Sequence, residues 1–161
     1  MNSLRPADYL KNIVGLTLCI LFFMVSASHA AEYVSVKKDG VNVRSGPSTS
    51  NEIRWEIFKD FPLEILKRDG DWANCKDYEG DSGWVHKDLL SKNKTVIVKK
   101  KKINLRNTPS TGQKSKIIAI VKYGVVFDVL DKKGDWLKVK HADGTKGWIY
   151  NTLIWPADPL D

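Results

Sequence analysis

The sequence predicts an all-β protein that consists of two tandem small β-barrels of about five strands each. The first reason is an internal repeat. Residues 41–48 return as residues 103–110, and further along the two copies match at a constant offset of 64 residues. The second reason is that short apolar and β-branched runs are separated by Gly, Pro, Asn and Asp, which is typical of strands joined by tight turns. No sustained helical period occurs after residue 30.

Each short apolar run is predicted to form one strand. In the first copy the predicted strands are Tyr33–Lys37, Ile53–Ile57, Leu63–Lys67, Trp72–Lys76 and Ser82–His86. In the second copy they are Thr95–Lys99, Ile117–Val121, Val125–Asp131, Trp136–His141 and Lys146–Tyr150. Five strands in a copy of about 60 residues cannot form two large sheets. Each copy is therefore expected to curl into a small, partly open barrel around one core.

The first thirty residues are predicted to be a signal peptide. Arg5 and Lys11 precede an apolar run from Ile13 to Val25, and small residues then lead to a cleavage site near Ala30. The apolar run is shorter than the roughly 20 residues that a membrane-spanning helix needs. The protein is therefore expected to be exported and to be periplasmic or extracellular.

The rest of the chain is predicted to divide according to the repeat. The first domain takes residues 31–91, a linker takes 92–94, the second domain takes 95–155 and a tail takes 156–161. A copy of this size is near the lower limit for a domain that folds alone, so contact between the two copies is expected. Cys75 is the one cysteine after the predicted signal peptide, which excludes an intrachain disulfide in the exported protein.

The two copies differ in charge. Residues 31–91 carry nine Lys/Arg and twelve Asp/Glu, a net charge of −3, whereas residues 92–161 carry fifteen and six, a net charge of +9. A basic half indicates anionic partners such as envelope phosphates, lipid head groups or acidic proteins, or the acidic first copy itself, and plain solubility is the alternative. The run Lys99–Lys102 aligns with a strand end and a turn of the first copy. A solvated loop is therefore favoured, and no specific nucleic-acid partner is predicted.

The alternation of residues along the strands predicts which side chains face the core. In the strand that begins at Trp136, Leu137 and Val139 share one face, and Trp136 shares the other face with two lysines. In the first copy Cys75 corresponds to Val139 and is expected to be buried, while Trp72 corresponds to Trp136. Both Trp side chains are therefore expected to lie outside the barrel cores.

The aromatic side chains of the outer faces are the candidate ligand-binding residues. Large rigid rings can cover sugars or peptide backbone at a small entropic cost. The candidates are Trp72, Trp136, Trp84, Trp148, Tyr150 and His86. The competing interpretation is that each Trp covers its own barrel core, and it applies most to Trp84 and Trp148, which precede predicted core residues.

No catalytic, metal or cofactor site is predicted, and the protein is expected not to be an enzyme. A nucleophilic site needs Ser or Cys with a base and an orienting group. After the predicted signal peptide the chain has two histidines, His86 and His141, and they do not occupy equivalent positions of the repeat. Motifs for phosphate binding or metal ligation are absent from the sequence.

Three elements, N-[VL]-R-x-x-P-S, G-D-W and G-W-[VI], occur in this order in both copies and resemble those of bacterial SH3 domains. The resemblance covers about residues 33–155. It implies two small SH3-like β-barrels that serve as binding modules, which commonly engage peptides or peptidoglycan and are often attached to cell-wall enzymes. Trp72 and Trp136 look like the Trp of a peptide-binding groove. Leu89 and Leu153 stand where that groove has a Tyr, so recognition of Pro-rich peptides is not implied.

These observations lead to one main hypothesis and two alternatives. The main hypothesis is an exported, non-catalytic module that binds a cell-envelope component, either a peptidoglycan peptide or a protein partner, through the outer Trp surfaces. The first alternative is electrostatic docking of the basic second copy on anionic lipid, lipopolysaccharide or another polyanion. The second is a purely structural protein in which the acidic copy docks on the basic one. The sequence leaves the oligomeric state open.

Overall fold

Two seven-stranded antiparallel sheets contain the strands of residues 31–160, the part of the chain that this computed structural model describes. The predicted signal peptide lies outside the described residues. Two single 3-10 turns, Lys87–Leu89 and Asn151–Leu153, accompany the strands, and the described residues form no α-helix. Within this range there is consequently no helix long and apolar enough to cross a membrane.

The first sheet has the strand order β3-β2-β6-β5-β4-β1-β7. Its strands are β1 (Glu32–Val36), β2 (Val41–Arg44), β3 (Ile53–Ile57), β4 (Pro62–Asp69), β5 (Trp72–Lys76), β6 (Ser82–His86) and β7 (Leu90–Ser91). Strand β3 lies at one edge of the sheet, and β7 lies at the other edge against β1.

The second sheet repeats this topology with the order β10-β9-β13-β12-β11-β8-β14. Its strands are β8 (Thr95–Val98), β9 (Lys102–Arg106), β10 (Ile117–Lys122), β11 (Val126–Lys133), β12 (Trp136–Lys140), β13 (Lys146–Tyr150) and β14 (Ile154–Trp155). The internal repeat of the sequence thus appears as the same strand order formed twice. The predicted all-β fold with two tandem barrels is confirmed.

Each sheet has two more strands than the five predicted. Strands β2 and β9 hold the residues that begin the N-[VL]-R element, and their apolar positions are too few to stand out as a periodic run. In β2, Val41 and Val43 are buried while Asn42 and Arg44 are half-buried, which is the alternation of a strand. The other additions, β7 and β14, are two residues long and exist because β1 and β8 offer a free edge.

Each barrel encloses a core of small aliphatic side chains. Leu137 and Val139 of β12 are fully buried, and so are Ala73 and, at 2% exposure, Cys75 of β5. The inner face predicted from the alternation is therefore correct in both copies. Trp72 and Trp136 lie outside both core clusters and are half-buried on the opposite face of their strands.

The two barrels share part of one core. Ile97 belongs to β8 of the second barrel, yet it is buried within the core cluster of the first barrel, and Val126 and Trp155 pack against the same cluster. The ring of Trp155 stands edge-on to Tyr33 of β1 at a centroid distance of 5.7 Å. The Nζ of Lys94, a linker residue, donates to the carbonyl oxygen of Tyr33 at 2.9 Å. The contact expected from the small size of each copy is thus present.

A second contact between the barrels joins two turns. The rings of Tyr78 and Tyr123 lie 5.6 Å apart, and the Tyr123 hydroxyl donates to Glu79 at 2.5 Å, which raises the pKa of Tyr123. The ion pairs of the described residues each join two groups of the same barrel. Apolar packing and hydrogen bonds therefore join the barrels, although their net charges are opposite.

Candidate ligand-binding grooves

A groove runs along the same outer surface of each barrel. The first groove, of about 360 Å³, is lined by residues that include Lys38, Asn42, Arg44, Trp72, His86, Asp88 and Leu89. The second groove, of about 890 Å³, is lined by residues that include Lys102, Asn104, Arg106, Pro109, Ile120, Trp136, Tyr150 and Leu153. Most of these residues correspond to one another in the repeat, so the fold places one groove in each copy.

An aromatic pair lies in each groove. Trp72 of β5 is the cross-strand partner of His86 of β6, and their rings are edge-on at 5.3 Å. In the second barrel Trp136 of β12 faces Tyr150 of β13 in the same register, again edge-on at 5.3 Å. The strand pairing fixes both pairs, because directly opposite residues of adjacent antiparallel strands project to the same face.

The groups that hold the aromatic pairs differ between the grooves. The Tyr150 hydroxyl donates to Asp135 at 3.0 Å, and this hydrogen bond raises the pKa of Tyr150. The equivalent carboxylate of the first barrel, Asp71, instead accepts from Lys87 at 2.5 Å, which lowers the pKa of Asp71. His86 accepts a hydrogen bond at Nδ1 from the backbone N–H of Asp88 at 3.4 Å, so the 3-10 turn orients its ring.

One arginine lies in each groove and also fixes a loop. Nη1 of Arg44 donates to the carbonyl oxygen of Asn51 at 2.7 Å, and Nη1 of Arg106 donates to that of Ser115 at 3.3 Å. Both bonds close the loop that follows the strand. The remaining N–H groups of each guanidinium can bind a carboxylate in the fork geometry that arginine favours.

The two grooves also differ in charge and in apolar surface. Asp88 lines the first groove together with Lys38 and Arg44, whereas the residues that line the second groove include Lys102 and Arg106 and no Asp or Glu. Ile120, which is 68% exposed, lines the second groove, and the first copy has Glu56 at this position. The second groove is therefore more basic, more apolar and larger.

Two of the six candidate residues lie outside the grooves. Trp84 and Trp148 are on the outer face of β6 and β13, where Lys67 and Lys138 cover their rings at 5.3 and 5.9 Å from the ring centroids. Trp84 is 9% exposed. The structure thus brings together Trp72 with His86 and Trp136 with Tyr150, and it separates Trp84 and Trp148 from them.

Sequence reasoning did not select the residues that form the other wall of each groove. Asn42 and Arg44 of β2, and Asn104 and Arg106 of β9, line this wall. The repeat could have indicated these residues, because they belong to the N-[VL]-R-x-x-P-S element that occurs in both copies. No group of three or more His, Cys, Asp or Glu suited to a metal ion occurs within residues 31–160.

Two small antiparallel barrels, each with an aromatic groove on its outer surface, define the class of the protein as a tandem barrel with two potential binding surfaces. The chain belongs to the bacterial SH3 domain family, which matches residues 37–92 and 99–156. This finding confirms the family that the three repeated elements indicated.

Comparison with individual proteins gives partial matches. A protein of Bacillus subtilis (strain 168) with the name "Putative N-acetylmuramoyl-L-alanine amidase YrvJ" is 30% identical over 161 residues, covering 89% of this chain and 30% of that protein. The solved structure of NlpC1 from Trichomonas vaginalis is 17% identical, and the match covers 81% of this chain and 47% of that chain with a TM-score of 0.33. The solved structure of an NlpC/P60 family protein from Bacillus cereus ATCC 10987 is 14% identical, and the match covers 76% of this chain and 55% of that chain with a TM-score of 0.36. The chain thus spans less than a third of the curated relative that it matches.

Proposed function

We propose that the protein is an exported, non-catalytic binding module whose two grooves engage a cell-envelope component, either a peptidoglycan peptide or a protein partner. One observation carries this proposal. Both barrels place a Trp and a second aromatic ring 5.3 Å apart, in a groove that also contains an arginine. Two copies of one arrangement on an outer surface are better explained by ligand contact than by core packing, since neither Trp belongs to a core cluster.

The chemistry of the second groove suits a peptide that carries a carboxylate. The ring of Trp136 offers a flat apolar surface for a peptide backbone or an aliphatic side chain. Arg106 and Lys102 supply positive charge at the same groove, and Asn104 offers both a donor and an acceptor. A peptide chain with acidic groups would match all three features.

The B. subtilis relative supports a cell-wall ligand. Its name describes an amidase that acts on N-acetylmuramoyl-L-alanine, and it contains a stretch similar to 89% of this chain. A binding module within such a protein would hold the enzyme on its substrate and raise the local concentration of that substrate. We extend this role to the present chain as part of the proposal.

Retention of the exported protein on purified sacculi tests the proposal. Trp72→Ala and Trp136→Ala, alone and together, should lower retention, and the double variant should lose most of it, because a few residues, often Trp, carry most of the binding energy of an interface. Leu66→Ala and Leu130→Ala are matched controls, since these equivalent leucines are exposed at 48% and 46% and lie outside the grooves. A folded double Trp variant that is retained like the wild type would contradict the proposal.

The salt dependence of retention separates this proposal from electrostatic docking of the basic half. Contacts that depend mainly on surface charge weaken steeply between low and moderate ionic strength, whereas stacking on Trp does not. The proposal therefore expects retention to persist at about 0.3 M salt, where the Debye length is below about 8 Å. Loss of retention in salt together with unchanged retention of the Trp variants would favour the electrostatic alternative.

A further inference from the structure

A cavity of about 310 Å³ opens in the second barrel at a place separate from the aromatic pair of the second groove. Its apolar wall includes Leu105, Val121 and Phe127, which are core residues exposed by 6% or less. The cavity therefore reaches the core of the barrel. Four consecutive residues of β10, 119–122, line it. Because successive residues of a strand point to opposite faces, this places the cavity along the edge of β10 rather than on one face of it.

The first barrel fills the equivalent space with aromatic rings. Trp55 of β3 is the cross-strand partner of Val43 of β2. The equivalent pair of the second barrel is Ala119 of β10 with Leu105 of β9, so a small side chain stands in the place of the Trp. Trp55 packs against the first core, and its Cη2 atom lies 3.5 Å from the position that a Cβ on Gly83 would take. At the equivalent Gly147 this place is taken by Cδ1 of Ile118, so the open space of the second barrel lies beside Ala119 and not at Gly147.

Two further aromatic residues of the first barrel are small in the second. Phe61 corresponds to Val125, and Tyr78 corresponds to Ala142. Phe61 is 7% exposed, and its ring centroid lies 5.9 Å from that of Tyr78. The second barrel gains one ring in exchange, since Phe127 replaces Leu63. Ala119, Val125 and Phe127 line the cavity and Ala142 does not, so the second barrel is short of one aromatic ring at this place.

The strand along the cavity has a free edge. Among the described strands, β10 pairs with β9 alone. Ile117, Ile118 and Ile120 of β10 are exposed by 48% to 68%. The equivalent edge strand β3 has Arg54 and Glu56 in place of Ile118 and Ile120. Charged side chains protect an edge strand from pairing with other chains, so β3 is protected and β10 is open to a further strand.

The charge around this edge selects the kind of chain that can pair with it. Residues 116–122, which are β10 and the residue before it, contain two Lys and no Asp or Glu, and the carboxylate of the cavity lining, Asp143, lies 3.1 Å from Nδ1 of His141. Lys122 lines the cavity itself, and Lys116 immediately precedes β10. A second copy of the same edge would bring like charges together, whereas an acidic segment would be attracted.

The polar side of the cavity is well ordered by its own hydrogen bonds. Nδ1 of His141 lies 3.1 Å from a carboxylate oxygen of Asp143, and Oδ1 of Asp143 accepts from the backbone N–H of Thr145 at 2.8 Å. These contacts hold the turn between β12 and β13 opposite the edge of β10. The opening is therefore bounded by fixed groups on both sides, which reduces the cost of binding.

We propose that the second barrel binds an extended acidic peptide of a partner protein, which pairs with the edge of β10 and places one aromatic side chain in the cavity. The first barrel indicates the kind of side chain that suits the space, because Trp55 takes the register position of Ala119, which lines the cavity. Backbone hydrogen bonds to β10 would supply affinity, and the cavity would supply selectivity for an aromatic ring.

Two blocked peptides test the proposal by calorimetric titration of the exported protein: Asp-Glu-Trp-Glu-Asp and the same peptide with Ala in place of Trp. The Trp peptide should bind at least about tenfold more tightly than the Ala peptide, as expected for one buried ring. Ala119→Trp should remove this difference, because it rebuilds the filling of the first barrel. Lys122→Glu, a surface change that keeps the core intact, should weaken both peptides.

The amide signals of β10 provide a further measurement. Amides at the free edge should exchange more slowly with solvent in the complex, since they become hydrogen-bonded to the peptide. Leu130→Ala serves as the control, because Leu130 is 46% exposed and lines neither the cavity nor the second groove, whereas Trp136→Ala distinguishes binding in the second groove from binding at β10. Equal affinity of the two peptides would overturn the proposal. So would unchanged binding in both Ala119→Trp and Lys122→Glu, and so would loss of binding in Trp136→Ala.

Discussion

The hydroxyl of Tyr150 donates to Asp135 at 3.0 Å, while the ring of the same residue stands edge-on to Trp136 at 5.3 Å. A single side chain therefore joins the turn before β12 to the aromatic pair of the second groove. The first barrel has His86 at this position, and its equivalent carboxylate, Asp71, binds Lys87 instead. The two grooves share a frame, but their aromatic pairs are held by different bonds.

Removal of the Asp135 carboxylate should lower the pKa of Tyr150. The hydrogen bond to Asp135 is the main cause of the raised pKa, so Asp135→Asn should return it toward the ordinary value of about 10. The neutral hydroxyl makes this bond, which is therefore present below pH 10 and is lost as the pH rises through the raised pKa. Titration of the Tyr150 ring signals by NMR measures the change. Asp71→Asn is the control and should leave Tyr150 unaffected; an unchanged pKa in Asp135→Asn would contradict the assignment.

Ile97 should stabilise both barrels, because it lies in a strand of the second barrel and is buried in the core of the first. Ile97→Ala should lower the free energy of unfolding by about 2–5 kcal/mol, the usual cost of a buried Ile→Ala change. It should also separate a single urea transition into two, as the contact between the barrels is lost. Val96→Ala is the matched control, since Val96 belongs to the second core alone. A single transition that persists in Ile97→Ala would show that the other contacts are sufficient to couple the barrels.

The repeat and the strand alternation predicted most of the fold, because both depend on local sequence. They correctly placed Leu137, Val139 and Cys75 inside and Trp72 and Trp136 outside the cores. The burial of a second-barrel residue in the first core was not predictable, because it depends on how the two barrels pack. The two-residue strands were missed for the same reason, as only a neighbouring free edge creates them.

The candidate site was predicted in part. Cross-strand register brings Trp72 to His86 and Trp136 to Tyr150. This could be inferred from the alternation of residues along the strands, which puts all four side chains on the outer face. The separation of Trp148 from these pairs could not be inferred, since the alternation puts it on the same face of β13 as Tyr150. The alternation along a strand predicts the face on which a side chain lies, whereas the position of a groove depends on where the neighbouring strand approaches that face.

The glycine of each G-W-[VI] element should be required by close approach of two strands. A Cβ on Gly83 would lie 2.4 Å from Cγ1 of Val43 and 3.0 Å from the carbonyl oxygen of Arg44. A Cβ on Gly147 would lie 2.6 Å from Cγ of Leu105 and 2.9 Å from the carbonyl oxygen of Arg106. In each barrel one of the two obstacles is backbone, which a side-chain rotation cannot relieve.

Gly83→Ala and Gly147→Ala should therefore each lower the free energy of unfolding by about 1–3 kcal/mol, the usual cost of overpacking a core. Thermal unfolding followed by far-UV circular dichroism measures the effect. Gly112→Ala is the control, because its nearest neighbour is the flexible Ser110 hydroxyl at 3.3 Å. Glycine variants as stable as the wild type would mean that the strands can move apart without cost.

Cys75 should be unreactive in the folded protein. Burial raises the pKa of its thiol to about 12, so the thiolate that reacts with iodoacetamide is almost absent at pH 8. Unfolding restores an ordinary value near 8.5, and the stability that comes from the neutral thiol should therefore decline as the pH rises above 8.5. Cys75→Val, which copies Val139 of the second barrel, should remove this decline. Alkylation of Cys75 in urea but not in buffer, read by mass spectrometry of its peptide, checks the first point; rapid alkylation in buffer would show that the first core opens readily.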